Sequence, residues 1–307
     1  MTRSEVWFLD VGQGHATVVR SEGVGAVIDC PLRGVGLARD VLYGDLVSTV
    51  FVTHRDLDHC GGIPDPLSEP GASTVLLNYG WALPAESREK IRVKAVLSKI
   101  FDMDERGAVE LDHGYQGAAG TLGAVGWELL APLKRDVGRS TLSGDTNSSS
   151  MVVRLTVGGK RVLVTGDITS SNVDWLLDTY GPELRADVLL LPHHGAHLAS
   201  LHALLDQVQP SAAVVSVGRR NGYGHPDPRT LLTVAERSET VLLCTQVNLI
   251  CHADPLLESH CAGSVCMTFE PELRIQTVPS GHDERVSGLS WPVCVRRSLP
   301  SSVSPAS

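Results

Sequence analysis

The stretch FVTHRDLDHCGG, residues 51–62, places His54, Asp56, Asp58 and His59 directly behind an apolar run. Residues 48–54 (STVFVTH) are β-branched and apolar enough to read as a strand, so the cluster falls where a strand gives way to a loop. Side chains at such a junction can converge on a cleft without entering the core. Imidazole and carboxylate together suit borderline to hard divalent ions such as Zn²⁺ or Mn²⁺, and two ion sites a few ångströms apart need a cluster this dense. A solvated loop with turn-forming aspartates would use the same residue types, so the rest of the chain has to decide.

Further strand ends repeat the pattern. VLVTGDI (residues 162–168) carries Asp167 behind an apolar run, and LLLPHHGAH (189–197) carries His193 and His194. His225 sits in the Gly/Pro loop NGYGHPDP (221–228), soon after the apolar AVVSVG (213–218). Taken singly, Asp167 could cap a helix starting near Thr169, and one of the paired histidines could be packed in the core. Four strand ends bearing Asp or His in this rhythm point instead to one shared metal centre.

The chain around these motifs has 307 residues and is 42% hydrophobic, enough for a substantial buried core. Further strands are expected at residues 5–11, 16–20, 25–30, 126–132, 150–159 and 160–167, the last two joined by a GGK hairpin turn. Helices are expected at 84–99, 169–180, 198–208 and 228–237. Strands in both halves, with helices between the later ones, fit an α/β (α+β) arrangement of two facing sheets with helices outside. Residues 1–278 are read as one domain, and 279–307, rich in Ser, Pro, Gly and Arg, as a mobile tail.

The net charge of −9 argues against a broad basic surface that would grip nucleic acid unaided. No apolar run approaches the roughly 18 to 20 residues of a membrane span, and the N-terminus does not read as a signal peptide, so a cytoplasmic setting is expected. Seven cysteines do not read as a disulfide framework. Within the Cys/His-rich segment 244–266, the set Cys251, His260 (or His252), Cys261 and Cys266 is a candidate for a structural Zn²⁺, although its spacing matches no common finger. Cys266 alone also reads as an ordinary buried thiol in a strand.

With FLDVGQGHATVV (8–19), VIDC (27–30), THRDLDHCGG (53–62), NSSSMVV (147–153), LVTGDI (163–168), LLPHHGA (190–196) and SVGRRNGYGHP (216–226), the chain resembles the metallo-β-lactamase-fold hydrolases. Within them it is similar to the soluble hydrolase domain of ComEC-type DNA-uptake proteins. The resemblance implies a four-layer αββα sandwich with two divalent metal ions at one edge of the sheets. It implies that His54 and Asp56 bind one ion, that Asp58 and His59 bind the other, and that Asp167 bridges them. The PHHG segment would add a ligand, His193 first and His194 as the alternative. Asn147 and Ser150 occupy the region where many relatives keep another metal-binding histidine. His15 stands where the relatives carry aspartate; it could replace that carboxylate near the metals, add a ligand or be neutral.

The resemblance also favours a phosphodiesterase or nuclease acting on DNA, with Asp58 handling the water proton and with His225 and Asn221 meeting the substrate phosphate. The fold alone does not choose among β-lactams, thioesters and phosphodiesters. A small phosphodiester or ester therefore stands as the alternative substrate. So does a role as catalytic subunit beside a separate membrane or nucleic-acid-binding protein. The carboxylate at Asp56 leans toward Mn²⁺ over Zn²⁺.

Overall fold

The computed structural model describes residues 3–65, 73–78, 88–143, 145–218, 221–246, 260–261, 263–270, 272–278 and 304–305. The chain first lays down β1 (Glu5–Phe8), β2 (Thr17–Ser21), β3 (Val24–Ile28), β4 (Leu46–Phe51), β5 (Ser73–Leu77) and β6 (Val109–His113) as one sheet. It then builds a second sheet from β7 (Ala119–Leu122), β8 (Val125–Ala131), β9 (Val152–Val157), β10 (Lys160–Val164), β11 (Val188–Leu190), β12 (Ala212–Val215), β13 (Val241–Cys244) and β14 (His260–Cys261). Finally β15 (Ser264–Thr268), β16 (Arg274–Val278) and β17 (Ser304–Pro305) return to the first sheet, β15 pairing antiparallel with β1.

The central strands divide their apolar residues between two cores, as a period of two requires. Val162 and Val164 point into the space between the sheets with Phe51, Val153, Val188, Leu190 and Val265, while Leu163 points outward with Leu189 and Ala213. That outward face of the second sheet is covered by α5 (Ser170–Tyr180), α6 (Leu201–Val208) and α7 (Pro228–Ala235), through Val173, Leu176, Leu204, Leu205, Leu231 and Val234. Val27, Val50 and Val75 of the first sheet point the other way, against Ala38 of α1 (Val35–Val41) and Ile100 and Met103 of α3 (Arg88–Glu105). Helix, sheet, sheet, helix is the four-layer order expected.

Several expected strands are shorter than their apolar runs. The strand expected at 48–54 leaves the ladder after Phe51, and that at 160–167 after Val164. In both cases the ligand-type residues lie beyond the last ladder bond. The GGK turn forms as expected: Val157 pairs with Lys160 across Gly158 and Gly159, both at positive φ, the two-residue geometry that suits the twist of a hairpin. α2 (Leu57–Cys60) and α4 (Lys134–Ser143) were not expected, the first because it is a single turn inside the motif, the second because KRDVGRSTLS is a poor helix former. The first residues of the helix expected at 84–99 lie outside the described residues, and α3 runs on to Glu105.

Cys251 and His252 lie outside the described residues, as does the tail read at 279–307 apart from Ser304–Pro305. His260 and Cys261 form the edge strand of the second sheet, whereas Cys266 belongs to β15 of the first. Its sequence neighbours Val265 and Met267 fill the core between the sheets, so Cys266 faces away from it, near Glu5 and Arg20. The structure thus places Cys266 in a different sheet from His260 and Cys261.

Phe51 ties the two sheets together: its ring meets Trp127 of β8 edge to face, centroids 5.0 Å apart. Phe51→Ala is expected to cost about 3–5 kcal/mol. Denaturant unfolding followed by tryptophan fluorescence checks this, and an unchanged midpoint would show that the sheets do not depend on this contact.

Candidate metal centre

The site lies at the carboxyl ends of parallel strands in both sheets. β3 leads to Asp29, β4 to Thr53 and His54, β10 to Asp167, β11 to His193 and His194, and β12 to Ser216. Strand ends are where irregular backbone can present polar side chains while the ladder behind them stays satisfied. The single turn α2 then swings Asp58 and His59 back toward His54. Gly14 of the DVGQG segment allows this turn to be packed from above. A Cβ there would collide with the Asp58 carbonyl oxygen, and the next amide, His15 N–H, donates to that oxygen at 3.0 Å.

Two overlapping sets of ligand atoms converge: His54, His59 and Asp167 in one, and Asp58, His59 and His194 in the other. His59 Nε2 is 3.3 Å from both Asp167 Oδ1 and His194 Nε2. Asp167 Oδ2 lies 3.5 Å from His194 Nε2 and 3.9 Å from His54 Nε2. Asp58 Oδ2 is 3.4 Å from His194 Nε2, and Asp56 Oδ2 is 3.8 Å from His54 Nε2. Asp56 also accepts a hydrogen bond from Thr146 Oγ1 at 3.0 Å.

The histidines are oriented from behind by groups that the sequence reading did not single out. Asp29 is fully buried and accepts from Thr53 N at 2.8 Å, from Thr53 Oγ1 at 2.6 Å and from His59 Nδ1 at 2.7 Å. Because the Thr53 hydroxyl proton goes to Asp29, its oxygen is left to accept from His54 Nδ1 at 3.1 Å. His194 Nδ1 donates to the Ser216 carbonyl at 2.8 Å. With every Nδ1 so engaged, the Nε2 atoms of His54, His59 and His194 face the centre, an arrangement typical of metal-binding histidines. The buried His54 Nε2 has no hydrogen-bond partner among the described residues, a cost that a cation at this point would remove. The donor set therefore fits divalent metal.

His193 and His194 occupy left-handed backbone conformations in succession, φ 51° and 54°. This is a strained turn for non-glycine residues, of the kind that persists where the surroundings fix it. It aims His194 at Asp58 and His59. His193 is 30% exposed, with Nε2 3.8 Å from Asp167 Oδ2 and 3.5 Å from Asn147 Nδ2. Ser150 accepts from the Asp167 amide at 3.2 Å and so supports that turn from below. His15 is buried beside His59, ring centroids 6.0 Å apart, and its Nε2 pairs with Thr17 Oγ1 at 3.1 Å. It lines the pocket that His59, Asp167 and His194 share, but it belongs to neither ligand set.

Asn221 braces its own loop. Its carboxamide oxygen accepts from the Tyr223 and His225 amides, and its nitrogen donates to the Gly218 and His225 carbonyls. Both ends of the side chain thus shape the loop expected to meet the substrate phosphate. His225 itself faces His193, with ring centroids 5.4 Å apart.

Electrostatics follow the geometry. Burial alone would lower His59, but Asp167 and Asp29 outweigh it and hold the imidazole well above its ordinary 6.5; Asp167 does the same for His194 against its burial. Burial would raise Asp167, yet His194 and His59 keep it well below the usual carboxylate range. Asp29 and Asp58 are likewise held low despite burial, Asp29 by His59, Asp58 by its hydrogen bond to His194. Burial lowers His15 to about 3 and also lowers His54, so both are neutral at pH 7.

The family profile of the metallo-beta-lactamase superfamily matches residues 9–219. The chain belongs to that superfamily. Recombination protein 2 of Haemophilus influenzae is 30% identical over 227 residues, covering 71% of this chain and 25% of that protein. ComE operon protein 3 of Bacillus subtilis is 24% identical over 65% of this chain and 24% of its own length. The chain thus spans about a quarter of these relatives. The metallo-beta-lactamase fold protein YhfI from Bacillus subtilis superposes with a TM-score of 0.48 at 11% identity, over 75% of this chain and 93% of that one.

Two outcomes are expected of the metal-free protein. Raised histidines contribute stability that is present below 6.5 and lost as pH rises through their folded values, so the chelated protein should lose stability on the alkaline side, and added Zn²⁺ or Mn²⁺ should restore it. Thermal melts across pH, with and without metal, check this. Asp29→Asn can offer an acceptor on one atom only and sets an NH₂ against a donor. Metal affinity should fall about 10- to 100-fold with the fold retained, as measured by competition with a chromophoric chelator and circular dichroism.

Proposed function

We propose that this chain is a metal-dependent phosphodiesterase acting on DNA. The observation that carries the reading is the pair of overlapping ligand sets, His54–His59–Asp167 and Asp58–His59–His194, which supports two neighbouring divalent ions. Held there, such ions supply Lewis acidity, which acidifies water and offsets charge on a phosphoryl group. Asp56 completes the His54 side, and Asp167, with one oxygen toward His59 and the other toward His54 and His194, sits between the two.

The protein's own groups divide the remaining work. Asp58, kept ionised by His194, is suited to orient attacking water and accept its proton. His225 is held below the ordinary imidazole value by burial and by His193, so at pH 7 it is neutral and offers one N–H to a phosphate or leaving-group oxygen. Asp29 and Thr53 act only through His59 and His54, fixing which nitrogen faces the centre. DNA is favoured as substrate because the relatives carry names from competence and recombination. The acidic chain fits a catalytic part that receives its substrate from a membrane or nucleic-acid-binding partner. Mn²⁺ is the preferred ion, on the carboxylate share of the ligands. The buried, unbridged thiols of Cys30, Cys60 and Cys266 support a reducing, cytoplasmic setting.

The test is timed digestion of end-labelled single- and double-stranded DNA after chelation and resupply of Mn²⁺ or Zn²⁺. Wild type should cut only with metal, and Asp58→Ala should be slower by at least about 100-fold. Equal cleavage by Asp58→Ala would remove that residue from the mechanism. Absence of cleavage by either protein would turn the reading toward a small phosphodiester or ester.

A further inference from the structure

The loop that carries His225 presents an aromatic surface which the hydrolytic chemistry does not use. Tyr223 is 73% exposed, an unusual position for a large ring, and lies nearly parallel to His225, with centroids 6.0 Å apart and planes 12° apart. His225 in turn packs edge-on against His193, whose Nε2 is 3.8 Å from Asp167. A continuous path of rings therefore runs from solvent to the centre of the site.

The loop is also held in shape. The Asn221 carboxamide makes its bonds to Tyr223 N, His225 N, Gly218 O and His225 O at 2.7–3.1 Å, so the backbone on both sides of Tyr223 is pinned. Asp227 then caps α7 by accepting from Arg229 N at 2.8 Å, anchoring the far end of the loop. An exposed tyrosine on a freely moving loop would lose conformational entropy on meeting a ligand; on a braced loop much less is lost. The flat face of one ring backed by a second suits another flat, weakly polar ring. The 5% aromatic content of the chain leaves room for stacking one such ring, not a run of them.

We infer that Tyr223, backed by His225, is a stacking platform for a single nucleobase beside the phosphate held at the metal centre. The inference rests on the phosphodiesterase reading and adds what that reading lacks, a means of preferring nucleic acid over other phosphodiesters. Tyr223 is a specificity residue on this account. It touches the base and takes no part in bond making.

The test compares binding of thymidine 5′-monophosphate and 2-deoxyribose 5-phosphate by calorimetry, using metal-loaded wild type, Tyr223→Ala and Tyr223→Phe. The two ligands share phosphate and sugar and differ by the base, and neither has a diester to cut. Wild type and Tyr223→Phe should bind the nucleotide about 5- to 150-fold more tightly than the sugar phosphate, and Tyr223→Ala should lose that ratio through the nucleotide alone. Equal binding of both ligands by wild type overturns the platform, as does failure of both to bind. So does a Tyr223→Ala variant that keeps the ratio, or one that weakens both ligands together, which would mark a merely structural tyrosine. DNA digestion by the wild type, scored separately, tells whether the phosphodiesterase reading fails with it.

Discussion

The buried carboxylate of Asp29 is the constraint on which the rest of the centre depends. Placed by its positive φ just beyond β3, it receives Thr53 twice and His59 once, and so joins the first sheet to both ends of the THRDLDH segment. A negative charge shut away from water is tolerated only when paired and fully hydrogen-bonded, and here the same bonds that satisfy it select the tautomers of His54 and His59. The metal-facing nitrogens are defined by a group that never reaches the metal side.

From this follows a division of labour between sequence motif and surroundings. The ligand-type residues are short, local and read easily; what aims them is distributed. Ser216, Thr53 and Ser150 contribute hydrogen bonds from different segments of the chain, and Gly14 contributes the lack of a side chain. None of these carries chemistry in isolation, yet each removes a degree of freedom from a residue that does.

The fold was legible in the sequence because its strands alternate or run apolar in a way helices do not, and because GGK marks a hairpin unambiguously. Where the strands stop was less legible, since apolar character continues past Phe51 while the ladder does not. His54, Asp58, His59 and Asp167 could be placed together from strand ends alone. The choice between His193 and His194 could not, because it turns on two consecutive left-handed residues that neither composition nor spacing announces. The loop-bracing bonds of Asn221 were not legible for a related reason: a polar side chain in a Gly-rich loop can bond to ligand or to backbone equally well on paper, and only its partners show which bonds it makes. Asp29 did carry a readable signal, ending an apolar strand just as Asp167 does, but without a neighbouring histidine in sequence it did not stand out.

The two sheets contribute to the centre from opposite sides, His54, Asp58 and His59 from the first and Asp167 and His194 from the second. Neither half of the chain can therefore hold the full set of donors by itself. The centre reports on the docking of two layers held together largely by apolar packing, and an ion shared across that seam would act as a directional gauge of it. Mutations that slide one sheet over the other would be felt first as a change in ion affinity, well before the apolar core itself came apart.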